Sequence, residues 1–527
     1  MHDKKPKVLL VYPGSKIMGF TYPMGLLYVA HALRKINIDV SIFHMGVDNI
    51  KNLKLEKYLF VGISMLTGEM ILNGLGVARL IKNYNSKIPI VLGGVHPSLL
   101  PEESLENDLV DYVVVGEGEK TSQELAACLL TNHDCSLIKG LGYKNDNKQI
   151  IINKPREFLN MDELDFAIPY ELLGKYFSDQ FLIPVHTSRG CPYRCGFCYN
   201  PVVHKRKYRY KSAERVVDEI EYLYKKYNAR FFGFDFEDEF FIYPERVIKI
   251  LEYILFKGLQ IEWTAFCRFN TFDKAYDKLG SDFTKIIKKS GCRYLAFGAE
   301  SGSQRVLDEI IKKDITVDQV IRTVERLKDA TIKHRVSFIC GFPTETLNEL
   351  NDTFHLIDKI SSNNHHIVIG LFTLVPLPGT SIYDLLKKEY NFISPTSLKE
   401  WGKYKMPNNL FRNLTWLPMG YAKICANLSL TAKYPFYKDF KSYKQYRKFI
   451  ADIDTTYGIG PADYFMAKIQ RWRFKNKSFK FMIEALIFNK ILNVRSFLKG
   501  YLLRKLLTQR VYFFLRERFG RNAHFKN

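Results

Sequence analysis

Three cysteines, Cys191, Cys195 and Cys198, lie close together in the spacing C-x3-C-x2-C. Three thiolates on one short loop can bind three irons of a [4Fe-4S] cluster. No further cysteine completes the run, so one iron is left open to a small chelating molecule, whereas electron-carrier ferredoxins fill all four positions with cysteine. Arg194, which stands between the first two thiolates, helps to offset their negative charge. The spacing therefore predicts a metal cluster that also binds a ligand.

The same cysteines could instead form a zinc loop or be buried without a metal. Zinc sites favour paired C-x2-C units, and the sequence contains no second pair. The cluster is the better interpretation of the spacing. With Phe197 directly before the third cysteine, the loop resembles the signature of radical S-adenosylmethionine (radical SAM) enzymes. The resemblance implies that the cluster cysteines are catalytic and that SAM, bound to the open iron, is cleaved to a 5′-deoxyadenosyl radical.

A regular alternation of strands and helices surrounds the cysteine loop. Predicted helices lie near 211–227, 244–257, 272–290, 303–331 and 346–361, and they separate six predicted strands at 181–187, 230–235, 260–266, 293–298, 335–340 and 366–374. Six strands with their helices resemble the partial (β/α)6 TIM-type barrel of the radical SAM core. The cysteine loop follows the first strand, at the carboxyl end where barrel active sites lie.

Polar or glycine-containing segments follow the other strands at the same end of the barrel. The acidic stretch that begins at Glu237 resembles the segment that receives the amino group of SAM, and residues 298–303 resemble the family's G-x-E-S-G-S. Glu345 or Thr346 could simply cap the next helix. The resemblance implies this set of cofactor-binding residues: Phe197, Glu237, Asp238, Arg268, Glu300, Ser301, Ile339, Pro376 and Gly379.

The first 140 residues show the same alternation on a smaller scale. Predicted helices at 23–34 and 74–84 lie among predicted strands at 8–12, 40–44, 58–64, 88–93 and 112–115. This pattern predicts a parallel, doubly wound, Rossmann-like sheet whose ligand site lies beyond the carboxyl ends of the strands. Small or polar residues occupy those ends and could contact a large flat ligand: Ser64, Thr67, Gly93, Gly94, Gly116 and Glu117.

This N-terminal unit resembles the cobalamin-binding domain of one large group of radical SAM enzymes. The D-x-H-x-x-G motif, whose histidine coordinates cobalt in other cobalamin proteins, is absent, and His44 and His96 stand in a different context. Many members of the group lack that histidine, so the resemblance implies cobalamin without a histidine ligand. The alternative is a sheet that has kept its fold and lost the corrinoid.

The combined resemblance implies a cobalamin-dependent methyltransferase that acts on an unactivated carbon. Cobalamin would take a methyl group from a second SAM and pass it to a substrate radical. One alternative is a cobalamin-dependent cyclisation or rearrangement without methyl transfer. Another is an RNA methylthiotransferase, although those relatives carry further cluster cysteines in the N-terminal domain, and the first cysteine here is Cys128. A simple iron–sulfur electron carrier would not need the SAM-like segments.

Composition sets the remaining expectations. The nine cysteines do not form a pattern typical of a disulfide framework, which indicates a reducing cytoplasm. The start of the chain lacks the apolar segment of a signal peptide, and no apolar run is long enough to span a membrane. We predict four regions: a cobalamin-binding domain at 1–140, a linker at 141–180, the radical SAM core at 181–395 and a basic, mainly helical C-terminal domain at 396–527.

Positive charge is concentrated at the C-terminal end. Residues 401–527 contain 26 Lys and Arg against 6 Asp and Glu. Within 464–527, one apolar stripe recurs at helical spacing and is flanked by cations: Ile487, Ile491, Val494, Leu498, Leu502 and Leu506. This pattern fits peripheral contact with an anionic membrane or a helical cap packed on the barrel; the sequence contains no recognisable RNA-binding module. The expected partners are a small-molecule or lipid-linked substrate and an external one-electron reductant, flavodoxin or ferredoxin.

Overall fold

The computed structural model describes residues 5–14, 22–131, 133–165, 167–176, 182–234, 239–404, 414–431, 435–453 and 461–479. The chain forms two compact units. The first unit consists of Met1–Phe297, Leu307–Thr323 and Val375–Trp416, and the second of Gly298–Val306, Val324–Leu374 and Leu417–Asn527.

The N-terminal part of the first unit is a seven-stranded sheet in the order β2-β1-β3-β4-β5-β6-β7. The first five strands are parallel, which confirms the Rossmann-like prediction: β1 Lys7–Tyr12, β2 Asp39–His44, β3 Phe60–Ser64, β4 Ile90–Gly93 and β5 Tyr112–Val114. The intervening helices are α1 Met24–Lys35, α2 Glu69–Tyr84, α3 Val95–Leu99, α4 Pro101–Glu106 and α5 Gly118–Thr131.

Helices cover both faces of a parallel sheet, so its strands are buried on both sides and consist of continuous apolar runs. The four residues Val8 to Val11 of β1 are all buried, and so are Ile90, Val91 and Leu92 of β4. One face of the sheet packs against α1 and α5, where Leu33 and Leu125 are fully buried in a single apolar cluster with β1. This core holds the carboxyl ends of the strands in fixed positions.

Two short strands extend the sheet into the region predicted to be a linker. They are β6 Leu141–Lys144 and β7 Ile150–Ile152, and they pair antiparallel as a hairpin. Lys148 turns the chain between the two strands with a φ of 60°. The Asn145 backbone amide donates to the Gln149 carbonyl at 3.0 Å and closes the turn. Three consecutive isoleucines favour a strand, and the sheet therefore continues past residue 140 into the segment predicted to be a linker.

A disulfide joins Cys128 and Cys135, which the sequence analysis did not expect. Cys128 lies in the last turn of α5, and the chain turns back after the helix ends at Thr131. This reversal places Cys135 beside Cys128, although the pattern of nine cysteines gave no sign of the pairing.

The rest of the first unit carries four parallel strands in the order β8, β11, β12, β13. They are β8 Ile183–Val185, β11 Phe231–Phe234, β12 Glu262–Cys267 and β13 Cys292–Glu300, the last of which ends in the second unit. A separate antiparallel pair is formed by β9 Ser188–Arg189 and β10 Arg209–Tyr210. The helices are α6 Asn200–Val203, α7 Ala213–Tyr227, α8 Pro244–Phe256, α9 Phe269–Leu279, α10 Ser281–Lys289, α13 Ser381–Glu389 and α14 Leu398–Tyr404.

The second unit carries the last two predicted strands, β14 His334–Cys340 and β15 Ile367–Thr373, paired in parallel over their full length. Its helices are α12 Leu347–Ser361, α15 Met419–Thr431, α16 Tyr443–Ile453 and α17 Pro461–Lys475. With the four strands of the first unit, the chain has the six parallel strands and helical C-terminal region that the sequence predicts. The apolar stripe at 487–506 lies outside the described residues.

Two long predicted helices are each divided into shorter pieces. The helix expected at 272–290 is broken at Gly280, whose φ of 63° favours glycine, into α9 and α10. The helix expected at 303–331 consists of a π-helical turn, Val306–Ile311, and α11 Val317–Asp329. Lys312 and Asp314 adopt left-handed conformations between these two pieces and end the first one. No helix among the described residues is both long and apolar enough to cross a membrane.

The loop between β14 and α12 in the second unit contains a buried carboxyl group. Glu345 is 4% exposed and its Oε2 accepts hydrogen bonds from the Tyr421 hydroxyl at 2.6 Å and the Gly341 amide at 2.7 Å. Burial raises the pKa of Glu345 to about 7, against the smaller opposing effect of these donors. Thr346, next to it, is the N-cap of α12 in a capping box with Glu349, which confirms its capping role.

The buried carboxyl of Glu345 should make stability depend on pH. The folded protein retains this proton at a pH where the unfolded chain has lost it, so stability falls as pH rises from about 4.5 to about 7. A Glu345→Gln variant stays neutral, so its free energy of unfolding relative to wild type should rise by about 3 kcal/mol across that window. The measurement is the difference in melting temperature between the variant and wild type as a function of pH. A Glu349→Gln variant, whose parent carboxyl has a pKa of about 2, is the control. A constant difference between Glu345→Gln and wild type across this range would contradict the prediction.

Candidate functional site

The three predicted cluster cysteines are all free thiols on the loop after β9. Cys195 is buried, whereas Cys191 and Cys198 are half-buried. Backbone bonds fix the middle of the loop: the Gly196 amide donates to the Ile311 carbonyl at 2.7 Å, and the Ile382 amide donates to the Gly196 carbonyl at 3.0 Å. The loop is therefore held from both sides by segments distant in sequence.

A larger residue at Gly196 would require Ser381 and Ile310 to move. A Cβ at this position would lie 2.8 Å from the Ser381 hydroxyl and 3.2 Å from the Ile310 carbonyl oxygen. Gly379, a predicted cofactor-binding residue, lies nearby with a φ of 73°, and a Cβ there would lie 3.2 Å from Val202 of α6. The segment containing Gly379 and the buried Pro376 thus packs against the helix that directly follows the third cysteine.

Arg268 connects the end of β12 to the cysteine loop. It is 7% exposed, and its Nη1 donates to the Cys195 Sγ at 3.3 Å. The guanidinium lies 3.6 Å from the ring centroid of Tyr193, its Nη2 donates to the Lys313 carbonyl, and its Nε donates to Asn270 at 3.3 Å. The sequence predicted Arg268 as a cofactor-binding residue, and the structure places its charge against a cluster thiol.

The cysteine loop has the chemistry that an iron–sulfur cluster requires. Burial raises the pKa of the Cys191 thiol to about 11 and that of Cys198 to about 12, so these thiolates need a strong positive partner. Among the described residues, no group of three or more His, Cys, Asp or Glu side chains is arranged to hold a single ion. A four-iron cluster binds each thiolate through a separate iron, so the thiolates need not converge on one atom.

A buried carboxyl group lies beside Arg268. Glu239 is 2% exposed; its Oε1 accepts from the Phe241 amide at 2.9 Å, the Thr271 hydroxyl at 3.1 Å and the Arg268 amide at 3.3 Å. Burial raises the pKa of Glu239 to about 7 despite these donors. The family resemblance points instead to Glu237 and Asp238 of the same acidic segment, and these two residues lie outside the described residues.

Of the other predicted SAM residues, Phe197 is half-buried on the cysteine loop in the first unit, and Glu300, Ser301 and Ile339 lie in the second unit. Glu300 is buried at the end of β13 with a φ of 64°. Ser301 lies 3.4 Å from Thr353, hydroxyl to hydroxyl, and the Gly302 amide donates to the same threonine at 2.8 Å. A Cβ at Gly302 would lie 2.5 Å from the Asp352 carbonyl oxygen, so the second glycine of G-x-E-S-G-S is needed for close packing. Ile339 is half-buried on β14.

Hydrogen bonds join the strand ends of the N-terminal sheet. The Met65 amide donates to the Gly93 carbonyl at 2.8 Å. Ser98, which the sequence analysis did not single out, donates to the Gly94 carbonyl at 2.8 Å and accepts from the Gly116 amide at 2.9 Å. A Cβ at Gly94, whose φ is 95°, would lie 2.9 Å from the Met65 carbonyl oxygen. The ends of β3, β4 and β5 therefore form one connected edge.

Open space lies next to two glycines of this edge. A Cβ at Gly116 would meet no atom within 4 Å, and one at Gly93 would meet only the Val114 Cβ at 4.0 Å. Glycines with open space beside them would let the backbone approach a large flat ligand at this edge. Ser64 lies at the same edge, where its hydroxyl would lie 3.2 Å from a Cβ on Gly94.

The histidines at this edge are structural. His96 is fully buried, and its Nδ1 lies 3.0 Å from the Thr67 hydroxyl. His44 is 2% exposed and packs on the ring of Tyr12 at 4.7 Å between centroids. Thr67, predicted to bind the ligand edge, is thus already engaged with His96. Neither histidine stands in the D-x-H-x-x-G motif.

Glu117 belongs to a buried ion-pair network that reaches the cysteine loop. Its Oε1 lies 3.0 Å from Arg189 and 2.8 Å from Arg209, and its Oε2 accepts from the Leu159 amide at 2.9 Å. Arg189 also binds Glu119 at 2.7 Å. Burial opposes ionisation of Glu117, but the two arginines outweigh it and hold its pKa at about 2. We call these four side chains the Glu117–Arg189 network.

The Glu117–Arg189 network joins the two candidate cofactor regions within the first unit. Glu117 follows Gly116 at the end of β5, and Arg189 is two residues before Cys191. The sequence predicts Glu117 as a cobalamin contact, whereas neither arginine is a predicted site residue. The only signal for them is the stretch 189–213, which contains seven Lys and Arg and no Asp or Glu, so any acidic partner of these cations must come from elsewhere in the chain.

Comparisons with known proteins agree with this geometry. The family model of the radical SAM superfamily matches residues 185–357, and that of the B12 binding domain matches residues 13–126. An uncharacterized methyltransferase of Pyrococcus horikoshii is 33% identical over 78% of this chain and 86% of its own. The chain therefore belongs to the cobalamin-binding radical SAM family, whose cofactors are a [4Fe-4S] cluster, SAM and cobalamin.

Two further relatives extend the comparison. The anaerobic magnesium-protoporphyrin IX monomethyl ester cyclase of Rubrivivax gelatinosus is 25% identical over 84% of this chain and 81% of its own. The structure of the cobalamin-dependent SAM radical enzyme OxsB, with aqua-cobalamin and SAM bound, matches with a TM-score of 0.66 and 19% identity, covering 94% of this chain and 76% of that one. The fold of the chain is thus that of a cobalamin-dependent radical SAM enzyme.

The contact between Arg268 and Cys195 should raise the reduction potential of the cluster. A hydrogen bond and a positive charge at the thiolate both favour the more negative, reduced state. An Arg268→Met variant should therefore have a lower potential, by on the order of 50 mV, which is roughly 1 kcal/mol for one electron. The measurement is a redox titration followed by electron paramagnetic resonance (EPR).

The control for this titration is Arg194→Met. Arg194 is exposed and pairs with Asp314 at 3.3 Å, so its loss leaves the cysteine contact intact. Equal potentials in the two variants, at equal iron content, would show that Arg268 only supports the loop.

Proposed function

We propose that this enzyme methylates an unactivated carbon of a small-molecule or lipid-like substrate. The observation that carries the proposal is the pairing of two sites in one unit: the free cysteine loop and the open glycine edge at Gly93 and Gly116. The methyltransferase relative, aligned over most of both chains, supports the same reaction class. SAM supplies a radical at the cluster, and cobalamin supplies a transferable methyl group.

The chain's own residues hold and orient these groups. Cys191, Cys195 and Cys198 bind the cluster, and Arg268 stabilises negative charge on Cys195. The acidic segment that begins at Glu237 is the proposed partner of the amino group of SAM, because carboxylates attract a cation. The family resemblance also assigns to SAM the residues Phe197, Glu300, Ser301, Ile339, Pro376 and Gly379.

The proposed cobalamin contacts are the strand ends of the N-terminal sheet. Gly93, Gly94 and Gly116 would let the backbone approach the corrin, and the Ser64 hydroxyl would donate a hydrogen bond to an amide oxygen at the edge of the corrin. Thr67 and Glu117 act indirectly in this proposal, because Thr67 contacts His96 and Glu117 forms ion pairs with two arginines. Both would position the loops beneath the ligand.

A second candidate reaction is cyclisation or rearrangement without methyl transfer. It is favoured by the cyclase relative, which aligns with 84% of this chain. The two reactions differ in their products, because methylation adds one carbon to the substrate and releases S-adenosylhomocysteine together with 5′-deoxyadenosine. Equal amounts of the two SAM-derived products support methylation, and 5′-deoxyadenosine alone supports the second reaction.

Loss of one cluster cysteine should abolish the radical step. A Cys195→Ala variant removes a thiolate ligand, so reductive SAM cleavage should fall to background, at least 100-fold below wild type. Iron content and 5′-deoxyadenosine release from anaerobically reconstituted protein are the measurements.

The matched control is Cys267→Ala. Cys267 is a buried cysteine at the end of β12 that lies outside the cluster loop, so its variant should keep both the iron and the cleavage. Full SAM cleavage by Cys195→Ala would contradict the proposed function.

We further propose that the C-terminal region contacts an anionic membrane, which would favour a lipid or lipid-linked substrate. The support is the concentration of 16 Lys and Arg against 2 Asp and Glu in residues 464–527, interleaved with apolar residues. Each cation near such a surface contributes roughly 1 kcal/mol. A helical cap packed on the barrel is the alternative.

Vesicle sedimentation distinguishes the membrane contact from the cap. On phosphatidylglycerol vesicles at low salt, the full chain should sediment and a chain ending at residue 460 should remain largely in solution. Phosphatidylcholine vesicles, which carry no net charge, are the control. Equal sedimentation of the two chains on anionic vesicles would leave the cap as the better account.

A further inference from the structure

The stretch that contains the cysteine loop carries more positive charge than the fold uses. Residues 189–213 hold seven Lys and Arg and no acidic residue. Four of these cations form ion pairs with acidic residues from other parts of the first unit: Arg189 with Glu117 and Glu119, Arg194 with Asp314, Arg209 with Glu117, and Lys211 with Glu219. The remaining three are consecutive residues, Lys205, Arg206 and Lys207.

These three residues form an exposed basic turn. All three side chains are exposed, and none forms an ion pair with any residue that the structure describes. Lys205 and Arg206 adopt left-handed conformations with φ of 51° and 58°, so the turn projects from the end of α6 in a defined shape. Uncompensated charge in a fixed loop is available to a partner, whereas the four paired cations are not.

The basic turn is attached directly to the backbone of the cysteine loop. The Arg206 Nε donates to the Pro192 carbonyl at 3.1 Å, and Pro192 is adjacent to Cys191. Gly190, with a φ of 86°, packs so closely that a Cβ on it would overlap the Lys207 carbonyl oxygen. A protein bound at this turn would therefore sit next to the cluster ligands, which suits electron transfer because its rate falls steeply with distance.

Exposed aromatic rings lie beside the basic turn. Tyr210 follows it on β10 and is 44% exposed, and Tyr243, 46% exposed, packs on Tyr210 with 5.0 Å between ring centroids. Val202, on the other side of the turn, is 36% exposed. Tyrosine is enriched in protein–protein interfaces, where an apolar centre with a charged rim is typical. The surface has both features.

We propose that Lys205, Arg206, Lys207, Tyr210 and Tyr243 form the docking surface for an acidic one-electron carrier protein, such as a flavodoxin or ferredoxin. This inference rests on the proposed function, since it requires a redox cluster at the three cysteines. The carrier loses one electron to that cluster, and no bond forms or breaks. Charge complementarity would orient the carrier and speed its association.

The test compares two charge-reversed variants. The docking variant is Lys205→Glu/Lys207→Glu, which keeps Arg206 and its bond to Pro192. The control variant is Lys51→Glu/Lys57→Glu, which makes the same charge change at two exposed lysines of the same unit. Each reconstituted protein is mixed with reduced flavodoxin or with titanium(III) citrate, and cluster reduction is followed by freeze-quench EPR. Flavodoxin binding is measured separately by biolayer interferometry.

The docking variant should be reduced by flavodoxin about tenfold more slowly than the control variant and should bind it correspondingly less tightly, since steering charges change association rates on this order. The difference should shrink at high salt. Titanium(III) citrate should reduce both variants at the wild-type rate. Equal rates with flavodoxin would overturn the proposal. The proposal would also be overturned if the docking variant were defective only in binding phosphatidylglycerol vesicles or RNA, because that result would assign the turn to another partner.

Two outcomes separate this inference from the proposed function. If wild-type protein reduced by titanium(III) citrate fails to cleave SAM, the proposed function fails, whatever the flavodoxin result. If the wild type cleaves SAM and the docking variant is slow with both reductants, the turn supports the cluster loop, and the docking proposal alone is overturned.

Discussion

The buried Glu117–Arg189 network is the interaction on which the arrangement of the first unit depends. It places two carboxylates from the end of the N-terminal sheet against two arginines that flank the cysteine loop. Breaking a buried ion pair by removing one partner typically costs about 3–5 kcal/mol, because the other charge stays buried without compensation. The network therefore fixes the cysteine loop relative to the strand ends at Gly93 and Gly116, which is what two cofactors acting on one substrate require.

Charge is used differently on the two sides of the cysteine loop. On the buried side, Arg268 contacts Cys195, and Glu239 accepts hydrogen bonds from the backbone around Arg268. A low-dielectric environment strengthens such contacts and makes unpaired groups costly. On the exposed side, Lys205 to Lys207 make no ion pair with any described residue. The first arrangement suits tuning of a cofactor, and the second suits recognition of a partner.

Most of the fold could be predicted from the sequence, because its strands and helices follow from local residue patterns. The cysteine spacing, the six barrel strands and the five parallel strands of the N-terminal sheet each depend on residues close together in the chain. The parts that could not be predicted depend on long-range contacts. Glu117 pairs with arginines more than 70 residues away, and Ser98 bridges two strand ends. The β6–β7 hairpin and the disulfide at Cys128 were missed because short irregular segments carry little periodicity.

The central claim is that cobalamin binds at the glycine edge of a protein that also carries the cluster, and a single substitution tests it. Gly93→Leu adds a side chain where the nearest atom to a Cβ is 4.0 Å away, in a strand conformation that leucine adopts readily. Equilibrium dialysis with hydroxocobalamin should show about one equivalent bound to wild type and at least tenfold weaker binding to the variant, with unchanged iron content and melting temperature. Undiminished cobalamin uptake by Gly93→Leu, or none by folded wild-type protein, would contradict the account.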